Sequence, residues 1–109
     1  MKKIVKKKQI LKELKNLLIK EFSGFIDKVV LFGSQATGTS REYSDYDILV
    51  ILKKDYDWQL EDAILSSCYE IDLKYDIVTD VKLISKNELE TIKGKQPFII
   101  NALEQGIMV

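Results

Sequence analysis

Three observations make this sequence a small α+β domain, a sheet with helices packed against it. Two apolar, β-branched runs, Val29 to Phe32 and Ile48 to Leu52, are too short for helices and suit buried strands. The segments around them carry apolar residues at three- and four-residue spacing, the helical period. The 109 residues amount to one domain, expected to span 1–109, with no repeat, low-complexity tract or linker.

The elements follow in order. Residues 6 to 22 form an amphipathic helix, with Leu11, Leu14, Leu18 and Phe22 on one face and lysines and Glu13 filling the other. Gly24 ends it, and Asp27 to Phe32 is the first strand. The small polar stretch 33 to 44 is a loop or short helical turn. Asp45 to Leu52 is the second strand, opened by two carboxylates. Asp57 caps a helix starting at Trp58, with Glu61 and Asp62 in its first turn and Leu60, Ile64, Ser67, Cys68 and Ile71 inward. Trp58 itself reads as a core or interface anchor. A third strand lies within Lys74 to Ile84. Ser85 and Glu88 form a capping box for a short helix ending near Gly94. Pro97 starts the last helix, Phe98 to Gln105, which Gly106 closes.

Composition removes several chemistries. There is no histidine, so Ser-His-Asp and Cys-His nucleophilic sites and histidine-bound zinc are excluded. The one cysteine, Cys68, cannot form an internal disulfide or a multi-cysteine metal site, and on the helix stripe it is a small core residue. Seventeen basic and seventeen acidic side chains leave no net charge, so nucleic acid is not expected as a direct partner. Neither a spanning apolar run nor a signal-peptide core is present, and a cytoplasmic protein without a membrane partner is expected. The lysines at 2, 3, 6, 7 and 8 could meet phosphate or an acidic partner; the plainer reading is a solvated helix face.

The remaining chemistry belongs to carboxylates, hydroxyls and backbone. Gly33-Ser34 follows the first strand directly, and ten residues later come Asp45 and Asp47. Strand alternation points both aspartates to one face, about 6–7 Å apart, with Tyr46 turned the other way. Such carboxylates repel unless a cation joins them, and they offer the hard oxygens that magnesium takes beside water and phosphate. Gly33 lets backbone approach phosphates, and the Ser34 hydroxyl and nearby N–H groups can hold them. A Gly-Ser-x10-Asp-x-Asp pattern arises by chance in about one in a thousand chains of this length. Singly, Gly-Ser is a turn and Asp45 a strand-end acceptor; together they point to a nucleotide site.

The stretch LFGSQATGTSREYSDYDILVIL resembles the signature of the minimal nucleotidyltransferases, small members of the DNA polymerase beta-like superfamily. Gly33-Ser34, Gly38-Thr39, Arg41 and Ser44-Asp45-Tyr46-Asp47 match without a gap, and a looser similarity runs to the closing Phe98 to Ile107 segment. The resemblance implies a small mixed sheet flanked by helices, with nucleotide contacts from Gly33, Ser34, Ser44 and Arg41. Many relatives carry arginines after Gly-Ser; here Gln35 and Thr37 stand there, which leaves the cationic contact to Arg41 and the lysines. The family also uses a third carboxylate on the next strand. Asp76 and Asp80, four residues apart on one strand face, are the candidates. Asp80 is preferred, because it sits among apolar neighbours where an unpaired carboxylate is costly and lies a few residues before a helix cap, as in relatives.

The activity so implied is transfer of a nucleoside monophosphate, AMP from ATP, onto a hydroxyl. Asp45, Asp47 and Asp80 would be the catalytic and metal-binding residues, holding two magnesium ions, with Asp80 helping to deprotonate the attacking hydroxyl as pyrophosphate leaves. Larger relatives carry extra domains for the second substrate. A chain of 109 residues has no room for one, so the acceptor is expected on another protein. The resemblance implies a small helical HEPN toxin, adenylylated on a tyrosine near its active site by this chain as antitoxin. Two alternatives stand: a non-catalytic module that neutralises a partner by occlusion, and transfer to a small molecule or an RNA end.

Overall fold

The computed structural model describes residues 2–37 and 45–108. The chain runs α1 (Lys2–Glu21), β1 (Ile26–Phe32), α2 (Ser34–Thr37), β2 (Tyr46–Leu52), α3 (Trp58–Tyr75), β3 (Thr79–Ser85), α4 (Lys86–Leu89), a 3-10 turn (Ile92–Lys95), α5 (Pro97–Gln105) and β4 (Ile107–Met108). The expected order is present, with Ser34–Thr37 a helical turn inside the stretch read as a loop or short helical turn. The helix expected to end near Gly94 stops at Leu89 and is followed by the separate 3-10 turn, and a two-residue strand follows α5. So short a strand leaves no periodicity to read.

The four strands form one mixed sheet in the order β3-β2-β1-β4. β1 runs antiparallel to β2 and β4, and β2 runs parallel to β3. Continuous apolar runs in β1 and β2 follow from this placement, because both strands are central and covered on both faces. On one face Val29, Leu31, Ile48, Val50 and Leu52 pack against Leu11, Leu14 and Leu18 of α1 and Ile64, Cys68 and Ile71 of α3. On the other, Val30, Phe32, Leu49, Ile51 and Ile84 meet Ile99 and Ala102 of α5. Burial pushes the Cys68 thiol up to about 12, with Asp72 adding to the shift, so it is a packing residue rather than a nucleophile.

Glu13 of α1 accepts from Lys74 Nζ and Tyr75 OH of α3, tying the two helices together. Trp58 does not enter the core. It is 73% exposed at the first position of α3. The helix also runs further than expected, through Tyr75, and Asp76 closes it in the left-handed region at φ 54°. Gly106 closes α5, but with extended backbone at φ −74°. Space is what demands glycine there, since a Cβ would lie 2.3 Å from both the Ala102 carbonyl oxygen and Val30 Cγ1. Among the described residues no helix is long and apolar enough to cross a membrane.

The capping box is present as read. Ser85 Oγ accepts from Glu88 N at 3.1 Å, and Glu88 Oε1 accepts from Ser85 N at 3.1 Å. Ser85 is fully buried and also donates to Asp55 Oδ1 at 2.9 Å. Ser85→Ala should therefore cost about 1–2 kcal/mol, the upper half of the range for lost N-caps. A lower urea midpoint at unchanged slope would show it.

Candidate active site

Three elements meet at one end of the sheet. β1 ends at Phe32, and Gly33 turns the chain in the left-handed region at φ 72°. Ala36 N donates to Gly33 O at 3.1 Å, which closes the turn into α2. Lys7 Nζ of α1 donates to Gln35 O at 3.2 Å and holds the turn from the other side. Gln35, two residues after Gly33, is buried.

Next to this turn β2 begins. Asp45 stands exposed just before the strand, and Asp47 is its second residue. Asp47 pairs with Phe32 of β1 on one side and Asp80 of β3 on the other. Neighbouring strands lie about 4.8 Å apart, so Asp47 and Asp80 project side by side from the same face. Tyr46 turns to the opposite face and packs against the α1–α3 core, as alternation requires. Gly33, the first residue of the turn, presses on the same group. A Cβ added to it would lie 2.3 Å from Asp47 Oδ2.

The charge arrangement is unfavourable on its own. Burial holds the Asp47 carboxyl above its ordinary range, and the like charges of Asp80 and Asp45 raise it further, while Lys82 opposes the shift. Asp80 is held in place through its neighbour. Asp72 Oδ1 accepts from Thr79 N at 3.2 Å and Thr79 Oγ1 at 2.7 Å, and Tyr46 N donates to Val78 O at 2.8 Å.

Asp80 stands beside Asp47 in the strand register, but its surroundings are not those read from sequence. Its side chain is 48% exposed rather than enclosed, because it is the second residue of an edge strand. Asp76 and Asp80 do not share a strand face either. Asp76 caps α3, three residues before β3 begins, and its backbone N–H bonds Asp72 O. Lys82 is a residue that sequence reading did not single out. Its Nζ lies 3.4 Å from Asp80 Oδ1 and 5.7 Å from the centre of the Phe98 ring, which packs in turn on Phe32 at 6.3 Å. The signal was available: strand alternation puts residues 80 and 82 on one face.

Gly38, Thr39, Arg41 and Ser44 lie outside the described residues, and at Ser34 only the backbone, which opens α2, is described. Among the described residues no three ligands converge closely enough to enclose a metal ion by themselves. An open carboxylate set still fits magnesium, which takes one or two carboxylates and completes its shell with water and phosphate oxygens. The mutual repulsion at Asp47 is what such a cation would relieve.

Comparison with known proteins bears on the family and the fold. The nucleotidyltransferase domain family matches residues 7–109. The chain is 35% identical to "Putative protein adenylyltransferase MJ0604" of Methanocaldococcus jannaschii, covering 88% of this chain and 90% of the relative. A second protein of that organism, MJ0141, carries the same description and is 32% identical over 76% of this chain and 83% of its own length. Among solved structures, a toxin-antitoxin with AMP-PNP superposes with a TM-score of 0.59 at 22% identity, over 89% of this chain and 69% of that one. A complex of a tri-AMPylated Shewanella oneidensis HEPN toxin with its MNT antitoxin gives 0.54 at 19% identity, over 93% and 69%. At that identity the two structures speak for the fold. With the domain family spanning nearly its whole length and a relative above one-third identity, the chain belongs to the nucleotidyltransferase domain family of enzymes.

Proposed function

We propose that this enzyme transfers AMP from ATP to a hydroxyl on a partner protein, with magnesium, and that the partner is a small helical HEPN-type toxin in the cytoplasm. The observation that carries the reading is the pair Asp47 and Asp80, in register on neighbouring strands with Asp45 adjoining and Gly33 pressed against Asp47. Hard, mutually repelling oxygens beside a glycine turn suit a metal-bound triphosphate. The relatives described as protein adenylyltransferases support a protein acceptor.

In this reading residues 1–109 act as a single domain, and Asp45, Asp47 and Asp80 hold the magnesium. When bound, the metal neutralises phosphate charge and the carboxylate repulsion at once. Gly33, Ser34, Ser44 and Arg41 bind the nucleotide, and Lys82, beside Asp80, adds positive charge to the site. The acceptor oxygen attacks the α-phosphorus while its proton passes to Asp80. A bond forms from that oxygen to phosphorus, the bond from the α-phosphorus to the bridging oxygen breaks, and pyrophosphate leaves with the electron pair. No histidine is required.

The test is the double variant Asp45→Ala with Asp47→Ala, co-expressed with the toxin. Loss of neutralisation while the two proteins still associate supports catalysis. Neutralisation by the variant at wild-type level would mean that occlusion is enough, and the catalytic account of its biology would fail.

A further inference from the structure

A second concave surface lies at the other edge of the sheet, where nothing in the transfer chemistry needs one. Lys8, Lys12, Lys15 and Asn16 of α1 line a groove of about 570 Å³ with Ile107 and Met108 of β4. The four α1 positions follow helical spacing, so they form one continuous stripe. Lys8 and Lys12 are exposed, and neither has a carboxylate within ion-pair distance among the described residues. Among the described residues β4 is an edge strand, paired with β1, and Met108 is 54% exposed.

We propose that this groove docks an extended acidic segment of a partner protein. The edge strand offers backbone pairing of the kind by which extended peptides join sheets. Alternate side chains of an added strand would point toward α1, where acidic groups meet the lysines. The apolar floor of Ile107 and Met108 favours a peptide carrying apolar residues between its acids over a nucleic-acid backbone. The chain's zero net charge points the same way, since it supplies little of the long-range attraction that nucleic-acid binding rests on. Position gives the groove a use. Ile107 pairs with Leu31, two residues before Gly33, so a segment added beyond β4 lies about 7 Å along the strands and two strand spacings, about 10 Å, across the sheet from the glycine turn.

The test uses the full chain without nucleotide, so that its failure leaves the transfer reading untouched. The probe is a fluorescent twelve-residue peptide of alternating glutamate and valine, titrated at low salt, beside an RNA oligomer of equal charge and inorganic triphosphate. The expected result is peptide binding that weakens about tenfold or more in a Lys8→Glu, Lys12→Glu variant, with amide shifts of Ile107 and Met108 in the wild-type protein. The wild-type shifts need no variant and keep the test valid should the charge reversal disturb folding. Absence of peptide binding, binding that leaves Ile107 and Met108 unmoved, or RNA or triphosphate binding as tightly as the peptide would each overturn the proposal.

Discussion

Replacing Asp47 with asparagine should raise the melting temperature at neutral pH while removing nucleotide transfer. The Asp47 carboxyl is raised above its ordinary 3.8 by burial and by the charges of Asp80 and Asp45. A raised carboxyl binds its proton more readily in the folded than in the unfolded chain. Its contribution to stability is therefore full at acid pH and lost as pH rises through the carboxylate range, so the ionised group opposes folding at neutrality. Asparagine keeps the shape and removes the charge. Because Asp47 is partly solvated, the gain is modest, about 2–4 °C for a chain of this size. Wild-type and variant curves should converge below about pH 4, the ordinary carboxylate range, and separate above it. Transfer should fall by about 10²–10³-fold or more, the scale for one lost electrostatic stabiliser. Stability gained where activity is lost is the mark of a site shaped for a ligand. Thermal unfolding against pH checks the first half, and a steady-state transfer assay the second.

Gly33→Ala should damage activity more than folding. The left-handed φ of 72° costs a non-glycine residue about 1–2 kcal/mol. The new Cβ would stand 2.3 Å from Asp47 Oδ2, the free end of a side chain, so the carboxylate swings aside rather than the backbone yielding. A displacement of about 1 Å at a reacting centre can cost about a hundredfold in rate. Adding Asp47→Ala removes the group being pushed. The stability loss from Gly33→Ala should then be smaller than in the wild-type background, a coupling that chemical denaturation of the four proteins would measure. Equal losses in both backgrounds would assign the whole effect to φ.

The core strands and the central carboxylates were legible because each rests on a local signal. The two strands covered on both faces read as unbroken apolar runs, and the alternation of Asp45, Tyr46 and Asp47 follows from strand period alone. Capping at Asp57 and Ser85 was equally visible, since it depends on side chains three residues apart. What escaped depends on partners distant in the chain. Asp80 belongs beside Asp47 through parallel register, which β3's own sequence does not encode, and it got there exposed rather than buried. The end of α3 was misplaced because Asp76 reads as well in a strand as in a cap. β4 and the exposure of Trp58 depend on where other elements stop. The glycine turn's contact with Asp47 joins two strands, and neither strand alone announces it.

The central claim is that this chain places AMP on a protein hydroxyl. The direct measurement is intact-mass spectrometry of the co-purified helical partner, incubated with this enzyme, magnesium and ATP carrying a label at the α-phosphate. A mass increase of one or more AMP groups on the partner, with the label retained, pyrophosphate released and the product absent with Asp47→Asn, is the result expected. An unmodified partner, or label appearing only on RNA ends or small molecules, would contradict it.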